Sequence, residues 1–406
     1  MKRQIAIIAG GDSSEHEVSL RSAAGLYSFM DKERYDITIV RLQGKEWVAF
    51  AFGKECANVD TALLNQQATP ASALPTGCKT SVGDPNVEVC PIDKNDFSFT
   101  RGGVKHTFDF AYITIHGTPG ENGLLQGYLE MMGIPYSCCN VLAAALTFNK
   151  YTCNHYLAGF GFPIAKSILL RKDHCVDRVQ TATLTDRGET ADRTKDMAEQ
   201  KWDAEAIVKE LGLPCFIKSN VGGSSFGCTK VKTPEAVIPA IERAFQEGDE
   251  VICESYMKGT EVTCGVYKTK DKAVAFPITE VVTKNEFFDY DAKYKGQVSE
   301  ITPARIPDAI RDKIQAETLR IYDIIGANGI IRVDWIITGM RNTEDFVDPV
   351  EDMSKVQINL LEVNTTPGMT ATSFIPQQVR AAGLDIKEVL TDIIEDHFVD
   401  RTQTAG

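Results

Sequence analysis

Long apolar runs are missing from this chain. No stretch approaches the roughly 18 consecutive hydrophobic positions of a membrane-spanning helix, so no membrane partner is expected. A positive balance is missing too. The 43 Lys and Arg stand against 56 Asp and Glu, leaving a net charge of −13. So acidic a chain lacks the broad positive field that nucleic acid or anionic lipid requires, although local basic sites can still hold a small anion. The eleven cysteines are scattered, with no C-x-x-C pair and no zinc spacing, and read as buried thiols of a reducing compartment. Nothing fits the G-x-x-x-x-G-K-[ST] phosphate loop, the H-E-x-x-H zinc helix or the G-x-S-x-G hydrolase elbow. Gly 31 and Pro 16 are too few for a fibrous or low-complexity chain, and no internal repeat is present. At the start, the short apolar stretch IAIIA runs straight into Gly10-Gly11-Asp12, which reads as a strand and turn rather than a secretory leader. A cytoplasmic location is the expectation.

What is present suits a soluble α/β protein. At about 150 residues per domain, 406 residues make two to three domains, with 43% hydrophobic residues to fill their cores. Ile5–Ala9, the glycine pair and a helix beginning near Glu17 form a strand–turn–helix unit. A second strand, Phe110–Ile115, leads into His116-Gly117 and the glycine-rich GTPGENG. Leu124–Met132 then reads as a helix stopped by Gly133. This alternation predicts an open, mostly parallel sheet with ligands at the carboxyl ends of its strands. From Lys150 onward the pattern changes. Pro214–Ile217, Val251–Cys253, Val262–Tyr267 and Ala273–Val282 read as antiparallel strands. Pro307 opens a helix whose apolar face carries Ile310, Ile314, Ile321 and Ile325, ending at Gly326. Strands Ile330–Ile337 and Ile358–Val363 follow, and the tail from Gln377 to Phe398 is mainly helical. Polar or irregular stretches near 50–105, 172–205 and 339–355 read as surface elaborations.

The segments IIRVDWII (330–337) and INLLEVN (358–364) are the most informative pair. Side chains at i and i+2 share a strand face, so Arg332 and Asp334 point one way, and Glu362 and Asn364 share a face. If the strands pair, three oxygen ligands come together beside an arginine, a hard set that suits Mg²⁺ and its bridge to phosphate. An ordinary solvated sheet face is the competing account. In Lys218-Ser-Asn-Val-Gly-Gly-Ser-Ser-Phe-Gly227 a lysine ends an apolar strand before a loop of small residues. Such a loop offers ammonium and backbone N–H groups to phosphate, or is merely a hairpin turn. Glu254 and Glu261 fit either contacts to a base and a ribose or solvated strand ends. Glu15, in GGDSSEHEVSL, suits an ammonium group; helix capping by Ser13, Ser14 or Glu15 competes.

Together these segments resemble the D-alanine–D-alanine ligases of the ATP-grasp superfamily. The matching blocks run in order: GGDSSEHEVSL (10–20), HGTPGENGLLQGYLEMMGIPY (116–136), AALTFNK (144–150), KSNVGGSSFG (218–227), DYDAKYKG (289–296), IRVDW (331–335) and LLEVNTTPGMTATSFIP (360–376). The resemblance implies an ATP-grasp fold of three domains: an N-terminal α/β substrate-binding domain (1–143), then central (144–258) and C-terminal (259–406) α+β domains clamping ATP. It implies that Lys150 and Lys218 contact ATP phosphates, Glu254 the adenine and Glu261 the ribose. Asp334, Glu362 and Asn364 would hold two Mg²⁺, for which Mn²⁺ can substitute. Glu15 would bind the ammonium of the first D-alanine, with His116 nearby. Ser224 and Tyr294 would tie two loops over the site, Lys293 would contact phosphate, and Ser373 would grip the carboxylate of the second D-alanine. Arg332 and the backbone N–H of Gly368 would stabilise the tetrahedral oxyanion.

The implied activity is ATP-dependent ligation through a D-alanyl phosphate, for peptidoglycan precursor synthesis. The Lys293-Tyr294 pair of the closing loop favours a dipeptide over the D-alanine–D-lactate ester made by related ligases. A nucleotide-binding regulator without catalysis is the rival of another class, and the intact Arg332, Asp334, Glu362 and Asn364 argue against it. Family members are commonly dimers, so a homodimer is expected.

Overall fold

The computed structural model describes residues 2–52, 59, 61–64, 79–80, 87–172, 174–175, 202–223, 227–283, 298–340 and 355–399. Three β-sheets organise them. The first is built on β1 (Arg3–Gly10), whose Ile5–Ala9 run is wholly buried, as a strand covered on both faces must be. Helix α1 (His16–Phe29) follows the turn at Gly10-Gly11. Both glycines have positive φ, and a Cβ on Gly10 would lie 2.3 Å from the Leu42 carbonyl oxygen. β1 pairs in parallel with β2 (Tyr35–Gln43) on one side. The edge reached by the segment around residues 46–106 is antiparallel. There β3 (Glu46–Phe52) pairs with β2, and short helix α2 (Thr61–Leu64) and strand β4 (Lys79–Thr80) precede β5 (Val87–Asp93), which pairs with β3. Hairpin β6 (Ser98–Arg101) and β7 (Val104–His106) completes that edge. On the other side of β1 lies β8 (Phe110–Ile113), also parallel to it. The expected mostly parallel sheet is therefore parallel only over β2, β1 and β8, and the segment from β3 to β7 (46–106) supplies an antiparallel extension.

Helix α3 (Leu124–Met132) ends at Gly133 in the left-handed region, as its sequence predicts. Asn140 and Asn149 cap α4 (Val141–Phe148) and α5 (Lys150–Ala158), accepting from Ala143 N at 3.0 Å and Thr152 N at 2.9 Å. The second sheet is antiparallel, in the order β10 (His174–Cys175), β9 (Ser167–Arg171), β13 (Glu250–Ser255), β11 (Cys215–Ser219), β12 (Thr229–Val231). Helices α6 (Ala204–Leu211) and α7 (Val237–Ala244) cover it.

The third sheet is also antiparallel: β17 (Val298–Ile301), β16 (Thr279–Thr283), β14 (Gly259–Lys268), β18 (Ile330–Thr338), β19 (Gln357–Asn364), with β15 (Ala273–Ala275) beside β14. The single strand expected over Ala273–Val282 is broken at Phe276–Ile278, where Pro277 has no N–H for the ladder. Helix α8 (Asp308–Ile324) buries Ile310, Ile314 and Ile321 against this sheet, and the Trp335 indole donates to Thr318 Oγ1 at 3.2 Å. Cys139, Ala143, Cys153, Leu157 and Phe162 join the same core, so α4 and α5 lie against the third sheet.

The tail is helical as expected, in two helices, α9 (Phe374–Ala381) and α10 (Ile386–Asp396). Gly383, at φ +70°, separates them, and the Asp385 side chain caps the second. α10 packs on the N-terminal sheet, where Glu395 accepts from Arg3 and from the Tyr35 hydroxyl at 2.9 Å. Seven described cysteines are free, and six of them are buried. Cys90 departs from the all-thiol expectation, being disulfide-bonded. Among the described residues, no helix is long and apolar enough to cross a membrane.

Candidate active site

β18 lies between β14 and β19, and its alternation divides the third sheet into two faces. Ile331, Val333, Trp335 and Ile337 point into the core. Arg332 and Asp334 point the other way, opposite Asn364 and Glu362 of β19. The pairing that brings the four side chains together is therefore present, with a register irregularity between Asp334 and Trp335. Arg332 grips Asp334 with two parallel bonds, Nε to Oδ1 and Nη2 to Oδ2, each 2.8 Å. Asn364 Nδ2 adds a third at 3.0 Å and Thr263 Oγ1, from β14, a fourth at 2.5 Å. Burial alone would lower the Arg332 pKa. The carboxylates of Asp334, Glu362 and Glu121 outweigh it and hold the guanidinium above its usual value. Glu261 sits two residues before Thr263 on β14 and so shares its face.

Lys218 and Glu254 come from neighbouring strands of the second sheet and form a buried ion pair at 2.6 Å. Burial opposes the charge on Lys218, but Glu254 and then Cys228 and Glu362 more than offset it, so the ammonium is held above its ordinary range. Glu254 and Glu261, seven residues apart, fall in different sheets, so the pair straddles the junction between them. Lys150, at the start of α5, donates from Nζ to the Gly222 carbonyl. The loop carrying Gly222 is anchored behind it. Asn220 accepts from Lys150 N at 3.1 Å and Tyr151 N at 2.8 Å, and donates to Glu250 at 2.8 Å.

Glu15 occupies the N-cap position of α1 but makes no side-chain cap, so the capping account of this residue fails. Its carboxylate is 7% exposed and lies against the α-carbon of Gly223, where a Cβ would come 2.3 Å from Oε2. His116 is buried at the end of the β8 segment, its carbonyl accepting from Ser13 Oγ at 2.8 Å. Gly368 faces the Ser373 hydroxyl, which bonds Thr370 N at 3.1 Å and Thr370 Oγ1 at 2.8 Å. That segment rests on α1, since Met369 N donates to Ser22 Oγ at 3.3 Å and a Cβ on Gly25 would meet Met369 O at 2.4 Å. Ser224, Lys293 and Tyr294 lie outside the described residues.

Two titratable groups that sequence reasoning passed over join this set. Glu121, in the glycine-rich stretch after His116, accepts from Gly117 N at 2.7 Å. Burial first, and Glu15 second, push its carboxyl up to about 8 against the pull of Gly117 N and Lys150. Burial likewise raises the Cys228 thiol to about 11, with Lys218 opposing and Glu254 reinforcing. Glu121 senses Glu15, Lys150 and Glu362; Cys228 senses Lys218, Glu254, Lys150 and Glu362. Charges from the N-terminal loops and from the second and third sheets thus influence one another. Glu121 was visible as the one acid of GTPGENG, and Thr263 as the i+2 partner of Glu261. Cys228 gave no signal.

Comparison with known proteins identifies the family. The family model described as D-ala D-ala ligase N-terminus matches residues 4–139, and that described as D-ala D-ala ligase C-terminus matches 187–395. The D-alanine–D-alanine ligase of Phocaeicola vulgatus is 54% identical over 398 residues, covering 98% of this chain and 100% of that protein. The chain belongs to the D-alanine–D-alanine ligase family. The ligase of Porphyromonas gingivalis (strain W83) is 47% identical over 397 residues, covering 98% of each. Among solved structures, the VanG D-Ala:D-Ser ligase from Enterococcus faecalis superposes with a TM-score of 0.71 at 27% identity, covering 98% of this chain and 100% of that one. The Vibrio cholerae D-alanyl-alanine synthetase A, at TM-score 0.70, 24% identity and 98% and 99% coverage, shares the fold. That fold is the ATP-grasp architecture, with Lys218 and Glu254 on its second sheet and Asp334 and Glu362 on its third.

The oxygen donors suit a divalent cation of the family. Two carboxylates and an amide oxygen, Asp334, Glu362 and Asn364, stand on adjoining strands of one face, and hard oxygen ligands match Mg²⁺ or Mn²⁺.

Proposed function

We propose that this chain joins two D-alanines into D-alanyl-D-alanine, consuming ATP. The full-length identity of 54% to a D-alanine–D-alanine ligase carries the reading, and the acids and cations that the second and third sheets present, with Glu15 against Gly223, support it. Lys150 and Lys218 take the ATP phosphates, Glu254 the adenine and Glu261 the ribose. Glu15 holds the ammonium of the first D-alanine, with His116 beside it, and the carboxylate of that D-alanine attacks the γ-phosphate of ATP. The product is an acyl phosphate, and ADP leaves. Asp334, Glu362 and Asn364 would hold two Mg²⁺, and such ions would supply positive charge to offset that gathering on the phosphates. The amine of a second D-alanine, its carboxylate held by Ser373, attacks the acyl carbon, and phosphate departs. Arg332 and the Gly368 N–H stabilise the tetrahedral oxyanion. Losing one such donor costs about 3–4 kcal/mol. Water would hydrolyse the acyl phosphate, so closure matters. The Gly223 backbone lies against Glu15, and by the family likeness Ser224 and Tyr294 would tie two loops over the site while Lys293 would contact phosphate. Lys293-Tyr294 also favours an amine over a hydroxyl as second nucleophile. By the same family likeness we propose a homodimer working in the cytoplasm on peptidoglycan precursors.

The test is ADP release from the purified chain with MgATP and D-alanine, with mass analysis of the product and D-serine and D-lactate in parallel. D-alanine-dependent ADP with the dipeptide mass is expected. A preference for D-serine or D-lactate overturns the second-substrate assignment. Absence of any D-alanine-dependent turnover overturns the function.

A further inference from the structure

Asp334 accepts four hydrogen bonds: Thr263 Oγ1 at 2.5 Å and Arg332 Nε at 2.8 Å on Oδ1, Arg332 Nη2 at 2.8 Å and Asn364 Nδ2 at 3.0 Å on Oδ2. A carboxylate offers about four acceptor sites, so this one is saturated. If Asp334 holds a divalent cation, the assignment on which this inference rests, a donor must give way. Arg332 is the donor a dication repels; the hydroxyl of Thr263 and the amide of Asn364 are neutral. The Arg332 guanidinium already lies beside the Phe374 ring, its carbon 5.3 Å from the centroid, next to Ser373, so it has a second neighbour when it leaves Asp334. Asn364 is itself committed as a ligand. We infer that Thr263 is a positioning residue, whose hydroxyl keeps Asp334 aimed at the cation once Arg332 has turned to the substrate.

Thr263 is built for a fixed role. It is 2% exposed, stiff at χ1, and flanked on both sides by paired strands, opposite Thr279 and Asp334. Its carbonyl accepts from Gln378 Nε2 at 3.0 Å. Gln378 is fully buried, and it also accepts from Gly265 N at 2.9 Å and donates to Thr279 Oγ1 at 3.1 Å. Helix α9 thereby clamps the backbone from which the hydroxyl reaches Asp334.

The experiment measures Mn²⁺ binding to the full chain with ADP, reading free Mn²⁺ by electron paramagnetic resonance. Outer-shell partners are typically worth about 10–100-fold in metal affinity, so Thr263→Val should weaken Mn²⁺ by at least about tenfold. Thr263→Ser, which keeps the hydroxyl, should bind as the parent does. Arg332→Ala should bind Mn²⁺ as tightly as the parent or more tightly, since its role has passed to Thr263. Should the valine variant not fold, Thr263→Ala against Thr263→Ser makes the same comparison. Undiminished binding by the variant without a hydroxyl overturns the proposal, as does loss of Mn²⁺ in Arg332→Ala. A parent chain that binds no Mn²⁺ with ADP overturns the metal assignment and this inference with it. Ligation by that chain would still leave the wider function standing.

Discussion

Gly223→Ala isolates the contact between the second-sheet loop and the N-terminal unit. The added Cβ would lie 2.3 Å from Glu15 Oε2 and 2.9 Å from Cδ. Ordinary carbon contacts fall at about 3.5 Å, so carboxylate and loop must separate by roughly 1 Å. If Glu15 yields, it leaves the ammonium it is proposed to bind. A hydrogen bond to a charged group is worth about 1.5–3 kcal/mol, which is about 10- to 150-fold in rate or affinity. Displacement of a positioning group by about 1 Å is known to cost on the order of 10² in rate by the same measure. The expected result is a fall of that size in kcat/KM for D-alanine, measured by coupled ADP release. ATP binding, followed separately by calorimetry, should change little. If the loop yields instead, Lys150 loses its Gly222 carbonyl and ATP affinity falls too. A variant whose kcat/KM for D-alanine stays within twofold of the parent would refute the reasoning, because the Glu15–Gly223 contact would then carry no function.

Three further outcomes are expected. Glu362→Gln, which keeps the shape of a residue opposite Asp334, should fold normally yet lose nearly all ligation in the ADP assay; full activity would sink the metal assignment. Glu121 titrates near 8 when folded against 4.5 ordinarily, so it takes up a proton on folding. Its stabilising contribution is complete below pH 4.5 and is lost as pH rises to 8. Glu121→Gln should flatten that decline in melting midpoint, and an unchanged pH profile would contradict it. Cys228 is the one partly exposed free thiol among the described residues and sits among Lys218, Glu254 and Lys150. Maleimide should modify it slowly at pH 7.5 and faster toward pH 10, with ATP suppressing the reaction; peptide mass mapping that finds no protection would remove Cys228 from the nucleotide cleft.

Periodicity made much of the fold legible. The α8 isoleucines, the Gly133 stop and the buried Ile5–Ala9 strand follow from spacing and backbone chemistry alone. The opposed faces of β18 were equally readable, because a period of two leaves a strand no other choice. The antiparallel edge of the first sheet was not, since its strands are short and interleaved with irregular sequence. Nor was the division of the tail, which needed the Gly383 conformation and the Asp385 cap to be seen together. The resemblance divided Glu254 from Glu261 at 258/259, but spacing alone did not, since only three residues separate β13 from β14.

The site posed a different problem, because sequence motifs name what a residue offers and not what occupies it. Each described cation proposed to meet a ligand already has a protein partner: Lys218 has Glu254, Arg332 has Asp334, and Lys150 has the Gly222 carbonyl. Physics requires this of buried charge, since an ammonium or guanidinium left unpaired in a closed cleft costs several kcal/mol. Substrates therefore enter by exchange. A phosphate reaching Lys218 must compete with Glu254, and whatever draws Arg332 away must compete with two 2.8 Å bonds. Exchange favours specificity, because a ligand that supplies only one of the replacement partners leaves a buried group unsatisfied. It also orders the steps. Arg332 can serve an oxyanion only after something else has satisfied Asp334, so the reaction's last electrostatic contact depends on its first.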